Sequence, residues 1–311
     1  MLCGIFFLLG GGNLFSLWGI IIVIFSIIVH DFSFAHNSVM DVLAGYDKKD
    51  KFKKHFPLCN GRVDPFTALK ITHIGSFLTT IFAILLAYFG SGNSFYAISF
   101  YAIFIICGFW YNEWTSKIVI WDFVPISICF ASLSVYAYFL VSDEFTLLLI
   151  LAAIYISLVE WYQVGVSGEI KDFEIVNEVS LLRHLGAKCD RVFNLGIKAF
   201  VYALAVKLSG ILILGIIVFK YNFTFYGIIV FALMSILIIH FALNLTKIQK
   251  RDRNKAICNM ACEEIASIFA LPLILIPIID TVQALFLILF SLLYFVFMNK
   301  INWNTMVRPK V

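Results

Sequence analysis

Two groups of side-chain oxygen donors in this chain have the residue types and spacing to do chemistry. The first is Asn37, Asp41 and Asp47, inside HNSVMDVLAGYDKKDKFKKH (residues 36–55). That stretch holds three acids and five lysines directly after a long apolar run. Asn37 and Asp41 are four apart, so a helix stacks them on one face. Gly45 lets the backbone leave that helix and turn Asp47 back toward Asp41. An amide oxygen beside carboxylates suits Mg²⁺, which takes one or two carboxylates, waters and phosphate oxygens. The second group lies in GEIKDFEIVNEVSLLRHLGAK (residues 168–188). Glu169 and Asp172 are i,i+3, Glu174 and Glu178 are i,i+4, and Lys171 and Arg183 supply cations for phosphate oxygens. Read alone, each stretch is equally a solvated helix end or a mixed-charge loop. Together, two carboxylate clusters behind two apolar spans can hold Mg²⁺ ions that clamp one diphosphate.

The elements that must position these residues are set by composition. The chain is 62% hydrophobic and 14% charged. Globular domains run nearer half apolar and a quarter charged, so the surrounding solvent here is lipid. Apolar spans fall near 14–36, 67–89, 95–111, 118–141, 145–165, 195–219, 223–245, 261–279 and 281–299, with residues 1–10 as a remnant of one more. Pro272, Pro277 and Asp280 interrupt the last pair, leaving open one kinked helix plus a hairpin. Lys and Arg gather in 41–66, 166–194 and 246–255 and are sparse in 90–94, 142–144 and 220–222. The positive-inside rule therefore places 41–66, 112–117, 166–194 and 246–255 in the cytoplasm, consistent with the even number of spans between them.

Other classes find little support. The net charge of +4 comes without a basic, aromatic-interleaved patch, so no nucleic-acid partner is expected. The seven cysteines form no CxxC pair and read as small buried hydrophobes. His36, His55, His73, His184 and His240 show no zinc spacing, and His30 with Asp31 reads as a paired polar spot. No basic n-region or cleavage site marks a signal peptide. A transporter would place acids near membrane depth too, but with inverted repeats, and none is visible.

At this point the residues resemble the UbiA superfamily of intramembrane prenyltransferases. Asn37-Ser-Val-Met-Asp41-Val-Leu-Ala-Gly45-Tyr-Asp47 fits NxxxDxxxGxD, the first-motif form of the menaquinone-type (1,4-dihydroxy-2-naphthoate) branch, with Ser38 where the commoner NDxxDxxxD form has Asp. The Pro-Leu-x-x-Gly-Arg pattern ending at Arg62 precedes the next span, and Tyr111, Asn112 and Lys117 resemble the family's loop after the fourth span. Lys171, Asp172 and Glu174 stand in the second motif, with Ser180-Leu181 and Leu185-Gly186 closing it. That motif departs from the family pattern, with Val176 or Asn177 where a further Asp is expected.

The resemblance implies a single all-α integral membrane domain over 1–311. Its bundle would have about nine transmembrane helices around a central lipid-open cavity capped by cytoplasmic loops, with the first helix truncated. It implies Mg²⁺-dependent transfer of a prenyl group from a polyprenyl diphosphate to an aromatic quinone precursor. Asn37, Asp41 and Asp47 would hold one ion, and Asp172 with Glu169 or Glu174 the other. Arg62, Tyr111, Asn112, Lys117, Lys171 and Glu174 would bind substrate, while aromatics such as Trp161 and Tyr162 would face the allylic cation. The alternatives are a glycerol-phosphate ether-lipid acceptor, a non-catalytic family member and a membrane transporter.

Overall fold

Helices begin in this chain where a short polar side chain meets an apolar run. The computed structural model describes residues 1–49, 53–54, 56–115, 121–173, 180–189, 193–247 and 253–303. Among them the helices are α1 (Leu2–Leu9), α2 (Leu17–Leu43), α3 (Tyr46–Lys49), α4 (Pro65–Phe89), α5 (Ser94–Phe109), α6 (Phe123–Phe139), α7 (Leu147–Tyr162), α8 (Glu169–Asp172), α9 (Leu181–His184), α10 (Gly196–Tyr221), α11 (Phe225–Thr246), α12 (Arg253–Leu275) and α13 (Thr281–Trp303). Ser16, Asp64, Asn93, Thr146 and Thr224 each accept a backbone N–H three residues on, satisfying donors that a helix start leaves bare. Pro65 sits at the first position of α4, where its missing N–H removes no bond. A two-stranded antiparallel ladder pairs Lys188–Cys189 with Phe193–Asn194.

Eight helical segments are long and apolar enough to cross a membrane: α2, α4, Ser94–Trp114, Leu147–Gly168, α10, α11, Lys255–Leu275 and Thr281–Met298. The apolar α6, at 17 residues, is shorter than these eight, so the described residues hold eight such segments where about nine were expected. Their outer faces carry large exposed apolar side chains such as Phe77, Phe95 and Phe225. The backbone polar groups are bonded within helices, as hydrocarbon requires. The architecture is thus an all-helical, multi-pass membrane bundle.

Successive helices pack side by side from α4 through α7, then α10, α11 and α12, and α13 touches both α12 and α1. α1 lies inside this ring against α6, with Ile5, Phe6 and Phe7 buried. The segment read as a remnant therefore fills the interior at one end. Gly11 turns the chain out of α1 at a φ of 88°, and a Cβ on Gly12 would stand 2.4 Å from the Phe7 ring. The charge-poor connections meet at this end: Gly92 and Asn93 N–H donate to the carbonyls of Leu140 and Ser142.

The question of the last two spans resolves into two helices. Pro272 lies in the last turn of α12, where the helix is ending anyway. Tyr226 Oη and Asn222 Nδ2 donate to the carbonyls of Leu273 and Ile274 at 2.9 and 2.8 Å. Asp280, read as an interruption, is the residue that starts α13, accepting the Gln283 N–H at 2.8 Å.

A candidate site at the charged end of the bundle

Helix α2 outlasts its apolar run by two turns, so the first motif is helical. Val39 and Val42 turn inward and are buried, while Asn37 and Asp41 lie on a half-buried side. Gly45 follows with a φ of 82°, a left-handed conformation glycine adopts without penalty. The chain turns there, and Asp47 in α3 is buried with its carboxylate 2.6 Å from Lys53 Nζ. Two of the three first-motif donors are therefore partly exposed at the helix end, and the third is buried against a lysine.

The second group follows a π-helical turn, Gln163–Gly168, that extends α7 into α8. Glu169, expected to share an ion, has both oxygens engaged elsewhere. It accepts the Leu181 N–H at 3.1 Å, the Leu182 N–H at 2.8 Å and the Ser180 hydroxyl, and so caps α9. Burial raises its pKa above the ordinary carboxylate range, opposed in part by these bonds. Lys171 and Asp172 occupy α8 by backbone. Their side chains, and Glu174 and Lys117 entirely, lie outside the described residues. Arg62 is exposed ahead of α4, and Tyr111 is half-buried.

Asn112, expected to bind substrate, is instead buried with its Nδ2 3.3 Å from His36 Nδ1. It belongs to a cluster that the spacing of the histidines did not suggest. Glu113 Oε1 lies 2.9 Å from His73 Nε2 and 3.4 Å from His36 Nε2. Three elements deliver these groups: α2, α4 and the π turn Trp110–Thr115 that extends α5. A π turn adds a residue to the helical circuit and re-aims the side chains beyond it, a device frequent at functional sites. The approach of α2 to α4 depends on Gly75, where a Cβ would stand 2.2 Å from the Phe32 ring. Gly75, Thr79, Ala83 and Ala87 form a buried small-residue stripe along α4, as close membrane helix packing favours.

A second polar group lies inside the spans, where ionisable residues signal function or pairing. Lys207 on α10 pairs with Glu263 on α12, both buried. Gln163 Nε2 and Ser267 Oγ each donate to Glu263 at 2.5 Å, and Lys207 Nζ sits 3.9 Å over the Tyr162 ring. Tyr162 thus already faces a cation, and Trp161 donates its indole N–H to Tyr202. His30 and Asp31 do form a polar pair, joined by the Tyr294 hydroxyl of α13. On the lipid side, Leu208, Leu212, Gly215, Phe219 and Phe231 line a groove of about 590 Å³ between α10 and α11, shaped for hydrocarbon.

No protein-family model and no curated protein matches the chain. Among solved structures, the apo structure of a UbiA homolog from Aeropyrum pernix K1 matches with a TM-score of 0.64 at 16% identity, covering 89% of this chain and 97% of that one. At that identity the likeness speaks for the fold: this chain is built as a UbiA-type membrane bundle.

Proposed function

We propose that the protein is an intramembrane prenyltransferase that moves a prenyl group from a polyprenyl diphosphate to an aromatic acceptor, with Mg²⁺. The observation that carries this reading is the partly exposed Asn37–Asp41 face at the end of α2, on a UbiA-type bundle whose α7 runs directly into the second acidic motif. The donor chemistry fits the ion: an amide and carboxylates, all oxygen, at the charged end of the bundle. Asn37, Asp41 and Asp172 would hold it, joined by Asp47 on release from Lys53. When bound, Mg²⁺ supplies neutralisation of the diphosphate charge.

The chain's own groups do the rest. Lys171, Lys117 and Arg62 contact phosphate oxygens as the allylic C–O bond breaks and its electron pair leaves with diphosphate. The apolar helices keep water from the allylic cation until an acceptor carbon adds and then loses its proton. The motif loops work from the cytoplasmic side. The first-motif spacing favours an aromatic acceptor over a glycerol-phosphate one.

The test is purified protein with labelled prenyl diphosphates of graded length, Mg²⁺ and a panel holding both acceptor classes, read by mass spectrometry. A prenylated aromatic product is expected, reduced on the order of 10³-fold in Asp41→Ala. Transfer unaffected by Asp41→Ala would overturn the assignment. A second reading, a non-catalytic member, is favoured by the Asp47–Lys53 pair and the capping role of Glu169. It predicts Mg²⁺-dependent diphosphate binding without turnover against any acceptor.

A further inference from the structure

The His36–His73–Glu113 cluster adjoins the first acidic motif, since His36 precedes Asn37, but its donor chemistry is different. Two imidazoles and a carboxylate converge from three elements, with all three ligand atoms within 4.8 Å of one another. A tetrahedral ion with bonds of 2.0–2.1 Å separates its ligand atoms by about 3.3 Å. The two separations that involve Glu113 Oε1, 2.9 and 3.4 Å, bracket that value.

The buried histidine supplies an independent sign. His36 is 3% exposed, yet its Nε2, facing the cluster centre, has no hydrogen-bond partner. Asn112 Oδ1 is buried and unpartnered as well. One change gives the amide oxygen a partner and sets the state of the ring. If the Asn112 amide turns over, its oxygen accepts Nδ1–H of His36, which fixes the tautomer that leaves a lone pair on Nε2. A carbonyl holding the far nitrogen of a histidine is the usual support of a metal-ligating imidazole. Phe109 contacts both rings, at 5.1 Å from His36 and 5.5 Å from His73, and restricts their orientation. The side chains of His73 and Glu113 are 42% and 28% exposed, which leaves an entry path and room for a further ligand.

We propose that His36 Nε2, His73 Nε2 and Glu113 bind a first-row divalent transition ion, with Zn²⁺ the expected occupant, and that Asn112 orients His36. Imidazole nitrogen selects such ions, whereas Mg²⁺ favours all-oxygen sets. The ion would clasp α2, α4 and the π turn after α5 one residue before Asn37. It is independent of whether the acidic motifs turn over a diphosphate.

The test uses full-length, tag-free protein in detergent, stripped with chelator and titrated with Co²⁺ as a spectroscopic probe. A visible d–d absorption saturating at stoichiometric Co²⁺ and displaced by Zn²⁺ is expected. His73→Ala and Glu113→Gln should remove it, and Asn112→Ala should weaken Co²⁺ binding by roughly 10–100-fold. Asp41→Asn should leave it intact, which separates this site from the oxygen donors. Monodispersity on size exclusion confirms that the variants fold, and His73 is the mildest change because its ring is partly exposed. The assignment is overturned if wild-type protein shows no saturable band, or if the band persists in His73→Ala and Glu113→Gln.

Discussion

The two buried polar groups of this bundle differ in what they leave unfinished. Inside the spans, Lys207 and Glu263 close on each other. Glu263 meets Lys207, Gln163 and Ser267, and Lys207 adds the Tyr162 ring and Ser267 Oγ. What remains unpartnered there is neutral: Tyr162 Oη, Gln163 Oε1 and Ser167 Oγ. At the charged end, the unpartnered atoms are the Asn112 amide oxygen and an ionisable ring nitrogen, His36 Nε2, which lies 3.4 Å from the Glu113 carboxylate without a well-formed hydrogen bond. An unsatisfied neutral group costs about 1–3 kcal/mol, whereas an unpaired charge in hydrocarbon is far more expensive. The comparison therefore separates a clasp, the Lys207–Glu263 pair bonded to its own neighbours, from the cluster proposed above as a receptor for an ion.

The largest effect should come from opening the clasp. Lys207→Met strands Glu263 among α7, α10 and α12, and removal of one partner of a buried pair costs about 3–5 kcal/mol. A fall in melting temperature and in yield of monodisperse protein is expected, measured by thermal denaturation in detergent. Lys207→Met with Glu263→Leu should recover most of the loss, because the stranded charge goes with its partner. The Co²⁺ absorption should survive in whatever Lys207→Met protein remains folded. If instead the single variant is as stable as wild type, the pair is no clasp and the contrast fails.

These two groups also differ in how far the sequence exposes them. The spans are legible because lipid demands long apolar runs, and the read boundaries lie close to the helices at 65–89, 147–162, 196–221 and 225–246. The read span fell short at α2, which ends at Leu43 rather than 36, because helicity continues into the polar motif after apolarity stops. The same reason starts α12 at Arg253. Lys207 and Glu263 were visible as ionisable residues in apolar spans, but nothing local says that they meet. His36, His73 and Glu113 are hidden more deeply. Metal spacing rules see one helix or one loop, and here His36 on α2 meets His73 on α4, two helices that approach closely where Phe32 packs on the bare face of Gly75. The donors Asn37, Asp41 and Asp47 were read from a motif, but the lysine that holds Asp47 was seen only as part of a charge run.

A middle-sized effect follows from that contact. Gly75→Ala inserts a Cβ against the Phe32 ring and should destabilise by about 1–3 kcal/mol, as overpacking does. Its larger consequence is functional: pushing α4 from α2 separates His73 from His36 and should weaken Co²⁺ binding. The melting temperature of Gly75→Ala should fall less than that of Lys207→Met, while its Co²⁺ titration should suffer more. The reverse order would erase the distinction between clasp and receptor.

The smallest effect tests Glu169, which has the clasp's logic at the charged end. Its carboxylate is closed by the start of α9, but burial raises its folded pKa above that of an unfolded glutamate. Between those two values the folded state holds more proton than the unfolded one, so stability must fall as pH rises through that window. Below the window both states are protonated, and above it both are ionised, so the dependence levels off at either end. Glu169→Gln removes the titration while keeping an oxygen for the Leu182 N–H. The slope of melting temperature against pH above the ordinary carboxylate range should flatten in that variant. An unchanged slope would mean that Glu169 is less buried than its contacts imply, leaving its oxygens free to join Asp172 on a metal ion.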